Sequence, residues 1–155
     1  MSLLRQLLLA RPVIRLKQRH NVTKMALANR IDTGRLGERA AARHLQRRGY
    51  TLVERNYRTR EGEIDLTALR AGTLVFCEVK TLVAGRRSGL GPAHPFESIR
   101  PAKRRQVRRM ARSWLADRRE STTSPKYCDI RFDAIGVSLS AGGELLRLEH
   151  LPSAF

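Results

Sequence analysis

The sequence predicts an α/β (α+β) domain: a mixed β-sheet flanked by helices. Two stretches carry apolar residues at helical spacing, while five shorter runs read as strands, two of them with apolar and polar residues in alternation. Their order is helix, three strands, helix, two strands, which suits a mixed sheet better than a bundle or an all-β sandwich. At 155 residues and 41% hydrophobic content the chain supports one well-buried core. Residues 32–155 are expected to form that single domain.

Residues 1–31 are read apart from it. Arg5, Arg11, Arg15, Lys17, Arg19, Lys24 and Arg30 occur there with no acidic residue before Asp32, and Pro12 would end any helix over the leucines at positions 3–9. Three readings stay open: a flexible basic arm that adds phosphate contacts, a transit-like or membrane-surface segment, or an extension upstream of a start at Met25.

The first helix is expected over residues 33–48. Asp32 or Thr33 caps it, Gly49 stops it, and Leu36, Ala40, Ala41, His44 and Leu45 face inward. Glu38 lies on the side of Ala41, Ala42 and Leu45. It is either a carboxylate able to approach a sheet or an ordinary first-turn acid favoured by the helix dipole. A strand over residues 50–57 follows, with Leu52 and Val53 as its apolar content. Gly62-Glu63-Ile64-Asp65-Leu66 and Phe76-Cys77-Glu78-Val79-Lys80 then read as a hairpin turning at Ala71-Gly72. This register sets Asp65 opposite Glu78 and Glu63 opposite Lys80. It gathers those four on one face, with Ile64, Leu66, Cys77 and Val79 on a core face.

Residues 83–95 hold three glycines, two prolines and Arg86-Arg87, and read as a mobile binding loop. The second helix is expected from Pro101 to about residue 119, with Val107, Met110, Ala111, Trp114 and Leu115 inward. Lys103, Arg104, Arg105, Arg108, Arg109 and Arg112 crowd its remaining surface. A loop over 121–126 leads to strands over 131–139 and 144–151, joined by Ala141-Gly142-Gly143.

Two carboxylates facing each other across a hairpin destabilise a sheet unless something positive lies between them. A hard divalent cation, Mg²⁺ or Mn²⁺, suits that position. Such ions take one or two carboxylates and serve phosphate chemistry, and Lys80 on the same face could touch a metal-bound water or a scissile phosphate. Glu63 and Lys80 could equally be a solvated cross-strand ion pair. The net charge of +17, from 31 Lys and Arg against 14 Asp and Glu, points to a polyanionic partner: nucleic acid first, an anionic membrane surface second. The basic second helix would supply phosphate contacts. Cys77 and Cys128 lack metal-ligand spacing, so zinc is not expected and a reduced, cytoplasmic protein fits better than a secreted one. No apolar run is long enough for a transmembrane helix.

The chain resembles the YraN-like family of small bacterial proteins, and is similar to the PD-(D/E)XK nuclease superfamily of restriction endonucleases and Holliday-junction resolvases. The resemblance spans about residues 34–137. Gly34-Arg35-Leu36-Gly37-Glu38, Arg55-Asn56-Tyr57-Arg58, the two hairpin motifs with Thr81, Lys103 and Arg131-Phe132-Asp133 carry it. It implies a restriction-endonuclease-like fold and phosphodiester hydrolysis in nucleic acid, with DNA expected first. In that reading Asp65, Glu78 and the Val79 carbonyl hold the metal, Lys80 is the catalytic lysine, and Glu38 is the helix-borne acid of the resolvase-like branch. Glu63 and Lys103 match family positions without an assigned role. Leu82 departs from the arginine relatives tend to carry there, leaving Arg86 or Arg87 as substitutes. A resolvase-like role would require a symmetric homodimer. The alternatives are a catalytically silent nucleic-acid-binding module of the same fold, and a basic scaffold or membrane-surface protein led by the N-terminal segment.

Overall fold

The computed structural model describes residues 33–84, 96, 100–119, 121 and 124–155. The N-terminal extension lies outside the described residues, as does the glycine-rich loop with Arg86 and Arg87. Helix α1 is described over residues 33–47. Gly49, at φ +80°, ends it in the left-handed region. The Tyr50 N–H donates to Leu45 O and the Gly49 N–H to Gln46 O, both at 3.0 Å, which closes a Schellman cap.

The strands are β1 (Thr51–Thr59), β2 (Gly62–Arg70), β3 (Thr73–Val83), β4 (Asp129–Leu139) and β5 (Leu145–Leu151), and α2 is Pro101–Asp117. The sheet runs in chain order, β1-β2-β3-β4-β5. The first three strands form an antiparallel meander. β4 lies parallel to β3, because the chain crosses over through α2 between them, and β5 returns antiparallel. The result is an α+β fold consistent with the restriction-endonuclease-like architecture. No helix of the described residues is long and apolar enough to cross a membrane.

Both faces of the sheet are buried. Ala41, Ala42 and Leu45 of α1 pack on Leu66, Val75, Cys77, Val79, Ile135 and Val137. Val107, Met110, Ala111 and Trp114 of α2 pack on the opposite face, with Ile64, Leu74 and Phe76. The stripe expected on α2 is the one buried. β3 explains why its sequence reads as a nearly continuous apolar run: as a central strand it is covered on both sides.

The hairpin turn is the expected one. Ala71 (φ +47°) and Gly72 (φ +78°) both adopt the left-handed conformation of a type I′ turn, and Arg70 faces Thr73. The register holds from there to Leu66↔Cys77 and then stops. The expected single acidic face is therefore corrected. Asp65 and Glu78 are not a ladder pair, Glu63 bonds Arg58 of β1 rather than facing Lys80, and Ile64 belongs to the α2-side core while Leu66 belongs to the α1-side core. The alternation argument assumed an unbroken ladder. β3 leaves β2 at this point while staying paired to β4 as far as Val83↔Leu139.

Candidate functional site

The parting of β2 and β3 builds the site. Asp65 sits where β2 loses its partner, and its Oδ2 accepts a hydrogen bond from the Val79 N–H at 2.6 Å. A side chain thus satisfies a backbone donor that the interrupted ladder leaves open. Burial and then the neighbouring Glu78 push the Asp65 carboxyl up to about 7, against the lowering effect of the Val79 N–H and Lys80.

Glu78 is buried to 2% exposure, an unusual place for a carboxylate. Its Oε1 accepts from Lys80 Nζ at 2.5 Å and lies 3.0 Å from Lys103 Nζ. One ammonium comes from the same strand, two residues on, and the other from the first turn of α2. Lys103, placed by the sequence among phosphate-contacting residues of the helix, is instead directed onto this carboxylate. Among the described residues, Asp65 Oδ1 and Glu78 Oε2 carry no hydrogen bond.

Glu38 approaches from α1. Asn56 Nδ2 donates to its Oε2 at 3.1 Å, and burial followed by Glu63 raises its pKa, against the lowering effect of Arg35, Arg55 and Arg58. Glu38 in turn contributes to the upward shift of Asp65. Two features of the sequence place it there. Gly37 lets the helix close onto β3, since a Cβ at that position would overlap Thr81 Oγ1. Asn56 holds φ +54°, a conformation that asparagine tolerates better than most residues, and neither Asn56 nor Asp65 has a partner in the β1–β2 ladder. Gly37 and Asn56 stood in the motifs quoted above without a role. Among the described residues, Asn56 Oδ1 is also a buried acceptor without a partner.

The basic residues of α2 divide by what they touch. Arg109 bonds Glu61 at 2.7 Å, and Arg108 lies over the Phe132 ring at 5.3 Å. Arg104, Arg105 and Arg112 are exposed, with no ion pair to any described residue. Helix α1 shows a second basic surface that the sequence reading passed over. Arg39, Arg43 and Arg47, four residues apart, line a groove of about 470 Å³ with Leu36, Leu139 and Leu145. The spacing was the available signal, because residues four apart share a helix face.

Asp133 is another buried acid. Arg131 Nε and Nη2 grip its two oxygens at 2.8 Å each, His150 Nε2 lies 2.7 Å from Oδ2, and the Ser153 N–H donates to Oδ1 at 3.0 Å. Burial raises its pKa, but these bonds outweigh burial and hold it below the usual value. The group ties β4 to β5 and, through Arg131 Nη2 on Tyr50 OH, to the end of α1. Every oxygen of Asp133 is engaged, so it acts as a structural anchor.

With this geometry in place, comparison with known proteins is decisive. Residues 37–137 match the model of the uncharacterised protein family UPF0102. A UPF0102 protein of Clavibacter michiganensis is 47% identical over 116 residues, covering 73% of this chain and 87% of that protein. One from Chlorobium chlorochromatii is 40% identical over 128 residues, covering 80% and 91%. Another, from Frankia alni, is 40% identical over 131 residues, covering 84% of this chain and all of the relative. The chain belongs to the UPF0102 family.

The UPF0102 span contains all of Gly37, Glu38, Asn56, Asp65, Glu78, Lys80 and Lys103, and ends before β5. Whether these residues suit a metal can be asked of the donors themselves. Asp65 Oδ1 and Glu78 Oε2 are hard oxygens without hydrogen-bond partners among the described residues. Their mutual repulsion, visible in the raised Asp65 pKa, is what a divalent cation relieves. No three acidic, histidine or cysteine side chains among the described residues converge on one point. A two-carboxylate site completed by a carbonyl, waters and substrate oxygens is the kind Mg²⁺ accepts, so the donor set fits.

Proposed function

We propose that this UPF0102 chain is a metal-dependent hydrolase of phosphodiester bonds in nucleic acid, with DNA as the first substrate class to test. The observation that carries the reading is the buried Glu78 carboxylate, held by Lys80 and Lys103 beside an Asp65 that is reluctant to ionise. A carboxylate this buried is costly unless its charge is compensated. The two ammonium groups of Lys80 and Lys103 provide that compensation.

Asp65, Glu78 and the Val79 carbonyl would hold Mg²⁺ or Mn²⁺, which when bound supplies Lewis-acid stabilisation of the phosphate's developing charge and activates water. Lys80 would orient the attacking water or neutralise charge on the scissile phosphate, and Lys103 would neutralise a neighbouring phosphate. Glu38, held by Asn56, adds a third acid that positions the first two or takes a second ion. Arg104, Arg105 and Arg112 supply phosphate contacts that fix the substrate without reading its sequence.

One observation favours a second reading. Glu78 is already neutralised by two lysines, so the same fold could bind nucleic acid without cutting it. A panel of labelled duplex, single-stranded and branched substrates with Mg²⁺, Mn²⁺ or EDTA separates the two. Hydrolysis that needs the metal, and is lost in Asp65→Ala while binding survives, is the expected result. Binding without cleavage under every metal condition supports the silent module. Asp65→Ala cutting as fast as wild type removes the assignment.

A further inference from the structure

We propose that the groove between α1 and the β4–β5 turn docks a short acidic segment of a partner protein, one in which carboxylates alternate with apolar side chains. One bank of the groove is the row of Arg39, Arg43 and Arg47, all exposed and none ion-paired to a described residue. Its floor is apolar, from Leu36 and Ala40 of α1 and from Leu139 and Leu145 of the β4–β5 hairpin. A bulge aims Leu145 there. The ladder steps from Ser138↔Arg147 to Leu139↔Leu145 and passes over Leu146, so Leu145 shares the α1 side of the sheet with Leu139 of the core. Gly143, at φ +87°, lets the turn close on the helix, since a Cβ there would lie 3.1 Å from Leu36 Cδ1. Leu145 still stays 47% exposed, so the fold carries a leucine into a groove and leaves nearly half of it uncovered. Arginines near the end of α1 also favour the helix dipole, but that effect fades within the last turn and explains neither Arg39 nor the leucines.

Charge identifies the occupant. Residues 1–31 are basic with no acid before Asp32, and residues 85–95 hold Arg86 and Arg87 with no acid at all. A second copy brings a net charge of +17, so no part of this chain complements three arginines. A polynucleotide in a basic groove gains most from aromatic platforms for its bases, whereas this floor is aliphatic throughout. An acidic, apolar peptide matches both bank and floor. Arginines four apart on a helix recur every ~6 Å, and side chains on one side of an extended peptide recur every ~6.7 Å. Three carboxylates can therefore meet Arg39, Arg43 and Arg47 in step, through the charge-assisted bonds that a guanidinium forms best. The side chains between them turn to Leu36, Leu139 and Leu145. The groove lies on the α1 side of the sheet, while Arg104, Arg105 and Arg112 belong to the helix that covers the other side, so peptide docking does not compete with those arginines.

Docking stands apart from the nuclease reading, because its readout is peptide binding and needs no metal or cleavage. A fluorescein-labelled peptide of three aspartates separated by leucines is titrated with the full chain and followed by anisotropy, beside a version with serine for leucine and a labelled duplex. Wild type should bind the leucine peptide about tenfold or more tightly than the serine peptide. Arg39→Ala/Arg43→Ala/Arg47→Ala should weaken the leucine peptide by about tenfold or more, and Leu145→Ser by about fivefold. Arg104→Ala/Arg105→Ala/Arg112→Ala should leave it within about twofold, since surface charges at a distance are screened by salt. Amide chemical shifts of wild type guard against variants that misfold: the peptide should move those of α1 and the β4–β5 turn. No binding by wild type, equal binding of the serine peptide, an α1 triple variant that binds undiminished, or shifts confined to other elements overturns the proposal. So does an α1 triple variant that keeps the peptide and loses the duplex, which gives the groove to nucleic acid.

Discussion

Asp65 carries more of the site's chemistry than any other residue, and its environment states why. Folding raises its pKa from 3.8 to about 7, chiefly by burial and then by the charge of Glu78. The folded chain therefore binds this proton more tightly than the unfolded chain does. The sign follows: stability is full below pH 3.8, where both states are protonated, and falls as pH rises towards 7. Urea midpoints of wild type in EDTA should decline over that window, and Asp65→Asn should flatten the decline. Divalent cation should restore stability at the upper end, since the ionised pair is the form that binds it. A midpoint independent of pH in EDTA would contradict the burial and repulsion described for this carboxyl. Asp133 shows the contrast. It is fully buried where Asp65 is half-buried, yet it is bonded on every side and its pKa is held down.

At the scale of the element, the hairpin is what brings two distant acids together, and its turn is imperfect. A type I′ turn needs positive φ at both central residues. Gly72 supplies one at no steric cost, while Ala71 supplies the other against the preference of its Cβ, at about 1–2 kcal/mol. Ala71→Asn or Ala71→Gly should accordingly raise stability by about 0.5–1 kcal/mol, read as a higher urea midpoint with unchanged slope. Gly72 should tolerate no such exchange. Its φ of +78° is joined by a crowded surrounding, with Cys128 Sγ 2.9 Å from where a Cβ would be. Gly37 plays the corresponding part for α1, where absence of a side chain sets how closely Glu38 comes to the sheet.

Across the whole molecule, charge is distributed by function rather than spread evenly. Some basic residues of α2 bond the fold, Arg109 on Glu61 and Arg108 on Phe132, and Lys103 belongs to the candidate site through Glu78. Arg104, Arg105 and Arg112 are exposed, and in the proposed function they are the phosphate-contacting set. Replacing all three with alanine should reduce the slope of log affinity against log salt by about 2–3, since each phosphate contact contributes roughly 0.9. Arg109→Ala should leave that slope nearly unchanged. Fluorescence titrations of a labelled duplex at several salt concentrations measure both.

The amino-acid order by itself determined the succession of elements, the hairpin turn at Ala71-Gly72, the buried stripe of α2 and the register up to Leu66↔Cys77. Each of these follows from local rules, namely side-chain periodicity and the backbone freedom of a few residues, and those rules operate within a few positions along the chain. Only the tertiary structure decided where β2 and β3 part, which lysines reach Glu78, that Asn56 holds Glu38, and which arginines remain unpaired. Those outcomes depend on β4 drawing β3 to one side and on α2 crossing the sheet above it. Such contacts join residues tens of positions apart, and no pattern read along a single strand or helix contains them.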